Sequence, residues 1–215
     1  MPVRTLVVGP LMANCHLFYD KAGVAIIDPG GDPESIAGVI EEIGLPVRAI
    51  VNTHGHADHV AANDVLRDRY DVPVLIHEAD GWMLQDPNGN LSAMFGMPVS
   101  LRPGDRLLRD GDIIDLEAGL KPVDKAGSLT VIHTPGHTAG GICLSYPGGL
   151  FTGDTLFAGS VGRTDFPGGD WDALSRSIKD RLLRLGDETI IYPGHGPNSS
   201  LGEERRCNPF LGGQR

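Results

Sequence analysis

The segment Thr53-His54-Gly55-His56-Ala57-Asp58-His59 constrains this 215-residue chain more than any other. It follows the apolar run Val47–Val51 and precedes a stretch of helical pattern, so it reads as a strand–turn–helix junction. Three imidazoles and a carboxylate crowd into six consecutive positions. Packing does not explain such a cluster. Gly55 and Ala57 keep the turn small enough for the polar side chains to converge, and imidazole with carboxylate is the ligand chemistry of borderline metals such as zinc or iron.

Three further segments offer what one turn cannot. Pro135-Gly136-His137-Thr138, Gly153-Asp154-Thr155 and Pro193-Gly194-His195-Gly196 each follow a predicted strand, at Leu129–His133, Leu150–Thr152 and Glu188–Tyr192. Alone, each is ordinary turn chemistry. Together with the first segment they place histidines and aspartates at four strand ends, where loops gather along one sheet edge.

The rest of the chain supplies strands and helices in alternating blocks. Strands are predicted at Thr5–Val8, Cys15–Tyr19, Val24–Asp28, Val74–Ile76, Arg106–Leu108, Asp112–Leu116 and Ile142–Ser145. Asp32 is the predicted N-cap of a helix with Pro33 at its first position, Ile36, Val39, Ile40 and Ile43 on one face, and Gly44 closing it. Helices are also predicted over Ala61–Tyr70, Glu78–Leu84 and Trp171–Leu185, the last with Leu174, Ile178, Leu182 and Leu185 in line. Asp86–Pro103 is a loop with an apolar Met94-Phe95-Gly96-Met97 patch, either a substrate-facing flap or a surface connection. The tail from Gly202 is polar, with Pro209-Phe210-Leu211 as an apolar anchor. With no linker-like run, this order predicts one domain over residues 1–215, an α/β (α+β) arrangement of two sheets between helices built from two similar halves.

Composition narrows the function. Eighteen basic against 28 acidic residues give a net charge of −10, which disfavours a nucleic-acid partner. No apolar run reaches the roughly 18 residues that span a bilayer, and no signal-peptide pattern is visible, so the expectation is a soluble cytoplasmic protein without a membrane partner. Cys15, Cys143 and Cys207 are widely spaced and form neither a disulfide framework nor a cysteine zinc knuckle. His77 and His133 read as packing or hydrogen-bonding residues, and so does His16, which could instead line the mouth of a site.

The ordered set His54-x-His56-x-Asp58-His59, His137, Asp154 and His195 resembles the metallo-β-lactamase fold superfamily, with the match running through nearly the whole chain. The turn Ile27-Asp28-Pro29-Gly30, which often supports the metal loop in that fold, belongs to the resemblance. Within it, Gly153-Asp154-Thr155-Leu156-Phe157, the run Gly159–Asp170, and Glu204-Arg205 with Asn208-Pro209-Phe210 are similar to the glyoxalase II (hydroxyacylglutathione hydrolase) group in its short, single-domain form. The resemblance implies a four-layer αββα sandwich and two divalent ions, zinc first, with iron or manganese as alternatives. His54, His56 and His137 would hold one ion, Asp58, His59 and His195 the other, and Asp154 would bridge them.

Such a centre implies hydrolysis by a hydroxide bridging the ions. Two divalent charges less those of Asp58, Asp154 and the hydroxide leave about +1 to stabilise an oxyanion. Asp58 can orient the nucleophile. A thiol of pKa about 8.5 leaves as thiolate without a dedicated acid, so a small-molecule acyl thiol such as S-lactoylglutathione suits the site. Arg163 either reaches a substrate carboxylate or pairs with Asp165 or Asp170. The longer glyoxalase II enzymes bind glutathione through a C-terminal helical domain, and those contacts do not carry over. The alternatives are a persulfide dioxygenase with a single iron on His54 or His56, His137 and Asp154, and a non-catalytic metal-binding module. A β-lactamase, an RNA-processing nuclease and a flavo-diiron carrier fit less well. The native metal, the acyl donor and the oligomeric state are not fixed by these residues.

Overall fold

The computed structural model describes residues 2–116 and 127–212. Strands β1 (Val3–Val8), β2 (Ala13–Asp20), β3 (Gly23–Ile27), β4 (Val47–Val51), β5 (Val74–His77) and β6 (Arg106–Leu108) form one sheet in chain order. The hairpin pairs β1/β2 and β2/β3 are antiparallel; β3/β4, β4/β5 and β5/β6 are parallel. Helices α1 (Pro33–Ile43), α2 (Ala57–Val60) and α3 (Asn63–Tyr70) lie in the connections. The second sheet runs β14-β13-β10-β9-β8-β7, from β7 (Ile113–Asp115), β8 (Ser128–His133), β9 (Ile142–Tyr146), β10 (Gly149–Gly153), β13 (Ile190–Pro193) and β14 (Ser199–Ser200). A small hairpin, β11 (Leu156–Phe157) with β12 (Ser160–Val161), precedes α4 (Trp171–Arg176), and α5 (Leu201–Cys207) follows β14.

Side-chain alternation along the strands divides the core into three layers. Phe18, Ala25, Ile27, Ala49 and Val51 point inward and meet Leu129, Val131, Ile142, Leu144 and Phe151 between the sheets. Their neighbours Leu17, Val24, Ile26 and Ile50 point the other way, against Ile36, Ile40 and Leu66 of α1 and α3. Cys143, Leu150 and Ile191 do the same on the second sheet, against Leu174, Ile178, Leu182 and Leu201. Three apolar layers separate four layers of secondary structure, the αββα sandwich expected.

Strand direction decides where the polar turns emerge. The chain leaves β3 and β4, which are parallel, at the same edge. In the second sheet β8 is antiparallel to β9 and β9 to β10, so β8 and β10 run the same way, and β13 is parallel to β10. Asp28, the 53–59 turn, His137, Asp154 and His195 therefore all emerge where these strands end. The two edges are tied together where Ile142 N–H donates to Thr53 O (2.9 Å) and Asn14 N–H to Gly194 O (2.7 Å).

Several boundaries differ from the sequence expectation, each for a tertiary reason. Asp32 holds the expected N-cap position of α1 in a left-handed conformation (φ 49°), but its carboxylate accepts the Gly9 N–H at 2.8 Å and caps no N–H of the helix. The helix expected over Ala61–Tyr70 begins two residues later, as α3, because Ala62 N–H donates to Pro29 O, which also separates α3 from α2. Glu78–Leu84 gives only a 3₁₀ turn at Gly81–Gln85. The helix expected over Trp171–Leu185 continues from α4 as a π-helix over Ser177–Leu182. Residues four apart overshoot an α-turn by about 40°, and the wider winding returns Leu174, Ile178 and Leu182 to one buried face. The polar tail holds the helix α5, capped by Ser200 Oγ, whose Glu204 is buried because its carboxylate accepts from Ser199 Oγ, Gly159 N and Asn208 Nδ2.

The Asp28–Gly30 turn packs directly beneath the 53–59 turn: a Cβ on Gly30 would fall 1.5 Å from the Asp58 carbonyl oxygen. Gly30→Ala is expected to lower stability by about 2–4 kcal/mol, read as a lower denaturant midpoint, because backbone on both sides must shift.

Candidate metal centre

The four turns bring all seven histidines and aspartates named above into one cluster. Ligand atoms of His54, His56 and His137 lie within 4.8 Å of one another, and so do those of Asp58, His59 and His195. Asp154 faces both groups: Oδ1 is 3.4 Å from His59 Nε2, and Oδ2 is 3.5 Å from His137 Nε2 and 3.8 Å from His195 Nε2. His195 Nε2 is 3.2 Å from Asp58 Oδ2, and His56 Nδ1 is 3.0 Å from His137 Nε2. Two donors on one ion at bond lengths of about 2.0 Å stand roughly 3.3 Å apart, the spacing seen here.

Hydrogen bonds at the far side of three of the rings fix which nitrogen faces inward. Thr53 Oγ1–H donates to Asp28 Oδ2 at 2.6 Å, so its oxygen accepts from His54 Nδ1–H at 3.2 Å. His59 Nδ1–H donates to Asp28 Oδ2 (3.1 Å) and His137 Nδ1–H to the Arg163 carbonyl (2.7 Å). Each of these three rings therefore turns Nε2, the nitrogen available to a metal, towards the centre. Buried polar atoms are almost always paired. Yet His54 Nε2, His59 Nε2 and Asp154 Oδ1 are buried without a hydrogen-bond partner in the protein. Acceptors aimed at one another need a cation between them, and the donor set fits a divalent one.

The electrostatics divide the cluster in two. Burial, then the neighbouring His59, His56 and His137, push His54 well below the usual histidine range, and burial with His137 lowers His56 to about 3. Both stay neutral, the ligand state. In the other half burial opposes charge, but Asp58, Asp154 and Asp28 outweigh it and raise His59 to about 10. Burial likewise opposes protonation of His195, and Asp58 and Asp154 still raise it. Burial would raise Asp58, whereas His59 and His195 hold it below the ordinary carboxylate range. This half is an anionic pocket that draws positive charge.

Two carboxylates position the turns. Asp28 lies in the turn singled out with the resemblance: it accepts from Thr53 N (2.7 Å) as well as from Thr53 Oγ1 and His59. Asp80 was invisible to sequence reasoning, a lone acid after a short strand. Fully buried, it accepts from Gly55 N (3.1 Å), Thr138 Oγ1 (2.7 Å) and Gly140 N (2.6 Å), clamping the His54–His56 turn to the His137 turn. His16, buried, hydrogen-bonds Thr5 Oγ1 and the Pro193 carbonyl, and Asn14 Nδ2 donates to the Pro193 and Gly196 carbonyls, so β2 holds the His195 turn. His77 stacks on His133 at 4.1 Å, outside the cluster. Arg163 is paired through Nε and Nη2 with both Asp165 oxygens at 2.7 Å and lies 3.7 Å over the Phe166 ring.

A layered sandwich with histidines and aspartates gathered at one sheet edge defines a class of metallo-hydrolases. The chain belongs to the metallo-beta-lactamase superfamily, whose family model matches residues 8–195. Hydroxyacylglutathione hydrolase GloC of Haemophilus influenzae is 36% identical over 216 residues, covering 98% of each chain. The crystal structure of the BLEG-1 B3 metallo-beta-lactamase superposes with a TM-score of 0.90 at 35% identity, covering 99% of this chain and 100% of that one. TTHA1623 in a di-iron-bound form gives a TM-score of 0.84 at 36% identity, with 97% and 100% covered. Among the described residues no helix is long and apolar enough to cross a membrane.

Asp80→Ala removes the clamp between two histidine turns without touching an inward-facing nitrogen. It is expected to weaken zinc binding about 10- to 100-fold in competition with a chromogenic chelator, while circular dichroism stays native.

Proposed function

We propose that the protein is a binuclear metal-dependent thioesterase. The observation that carries this reading is the pairing of two three-residue clusters with one carboxylate, Asp154, turned towards both. His54, His56 and His137 would hold one ion, Asp58, His59 and His195 the second, with Asp154 shared; zinc, iron and manganese all accept this donor set. When bound, two divalent ions supply the positive charge that acidifies water and polarises an acyl carbonyl.

The chain's own residues supply orientation. Asp58, with a side chain 19% exposed, presents an oxygen towards both solvent and His195, where it can accept a hydrogen bond from water and aim the water's lone pair at an acyl carbon. His54, His59 and His137 are locked by Thr53, Asp28 and the Arg163 carbonyl, so little reorganises as charge develops. A thiolate leaves without a proton, whereas an amine needs a dedicated acid, which favours a small-molecule acyl thiol over an amide. The kinship with a hydroxyacylglutathione hydrolase makes S-lactoylglutathione the first substrate to test. Arg163 acts here through its carbonyl on His137; a substrate carboxylate would have to displace Asp165.

Elemental analysis followed by a thioester panel on the same sample tests this. Two metal ions per chain and turnover of acyl thiols are expected. One iron per chain with oxygen uptake would mean a persulfide dioxygenase, and full metal loading without turnover a binding module. Asp58→Ala is expected to lower kcat on thioesters at least about 100-fold, measured by thiol release.

A further inference from the structure

Beside Asp58 the surface opens into a cleft of about 440 Å³ between the β1–β2 turn and the 92–99 segment. Leu11, Ala61, Phe95, Met97 and Val99 contribute to its walls, and Asp58 of the candidate centre is also a wall residue. Leu11 is 43% exposed, Phe95 49% and Met97 58%, with Met12 beside them at 68%. Large apolar side chains left open around a concave site mark a surface that a ligand covers. The charged residues in the wall are Asp32 and Asp58, both acidic. Asp32 is already engaged by the Gly9 N–H, which holds the Leu11 turn in place. The described wall residues offer an anionic group no cation, and an uncharged apolar one needs none.

The other approach to the centre has different chemistry. Beside His56 and His137 stand Phe166, with its ring 6.1 Å from that of His56, and the Arg163 cation stacked on it. A thioester presents two unlike halves, one on each side of its carbonyl. We propose that the cleft binds the acyl half of the substrate and selects a long apolar acyl chain, leaving the polar thiol half on the Arg163–Phe166 side. At roughly 30 Å³ per water-sized group the cleft holds up to about 15 such groups, several times the size of a lactoyl group. The 92–99 part of the Asp86–Pro103 loop, read from sequence as either a flap or a surface connection, thereby becomes a specificity wall.

This inference rests on the thioesterase reading, and two measurements separate them. The first compares kcat/KM for acetyl, lactoyl, butanoyl, hexanoyl, octanoyl and decanoyl thioesters of N-acetylcysteamine with metal-loaded protein. A rise of about two- to fourfold per added methylene up to octanoyl is expected. In Leu11→Asp and Phe95→Ala, with metal content and melting temperature retained, octanoyl should fall to within about threefold of acetyl. The second titrates the non-hydrolysable 2-oxodecyl and 2-oxopropyl thioethers calorimetrically, with at least about tenfold tighter binding expected for the longer one. Turnover that is flat across the series, or best with lactoyl, overturns the acyl cleft and leaves the thioesterase intact. Absence of all turnover, with the long thioether still preferred and Leu11→Asp abolishing that preference, keeps the cleft and removes the thioesterase. Equal binding of both thioethers overturns the cleft whatever the turnover.

Discussion

Asp28 sits beneath the candidate metal turn as a buried carboxylate that receives three hydrogens, from Thr53 N, Thr53 Oγ1 and His59 Nδ1. Much of the site follows from that one side chain. It fixes the start of the 53–59 turn, commits the Thr53 hydroxyl so that His54 donates to it, and sets His59 with Nε2 facing inward. A carboxylate in a low-dielectric interior persists only when its lone pairs are met. The same requirement that stabilises Asp28 therefore orients two imidazoles. Gly30, two residues on, permits the closeness: its missing side chain lets the Asp58 carbonyl pass against the turn.

Asp80 plays the matching part on the other side. Its two oxygens collect Gly55, Thr138 and Gly140, so the first histidine turn and the His137 turn move together. Asn14 and His16 do the same for the His195 turn from β2. The turns of the centre are thus tied to one another by buried hydrogen bonds to backbone and side chains. Burial raises the pKa of Asp80, and the donors around it counter that effect. Each clamp joins elements far apart in the chain, which is why a site assembled from four turns can hold its donor atoms within a few ångströms.

Much of this was legible in the residues. The His-x-His-x-Asp-His turn carried its chemistry openly, and the three strand-end motifs were readable because Pro-Gly and Gly-Asp mark turns whatever the fold. The strands were legible for a similar reason, since apolar runs such as Val47–Val51 allow few other structures. Asp80 was not legible, because a single acid after a short strand has no pattern, and its role exists only once Thr138 and Gly140 arrive from 58 and 60 residues away. The late start of α3 and the change of winding at Ser177 were hidden likewise: the local pattern favoured helix from Ala61 and one uniform helix from Trp171, and a hydrogen bond to Pro29 in one case and the alignment of Leu174, Ile178 and Leu182 in the other overrode it.

The amino-acid order alone determined the alternation of strands and helices and the identity of the metal-type side chains, because periodicity and turn chemistry are local. Which imidazole nitrogen faces the centre, which carboxylates clamp the turns, and that an apolar cleft opens beside Asp58 were decided only by tertiary structure. Those features depend on distances between residues the chain separates widely, and only the packing of two sheets at a common edge sets them.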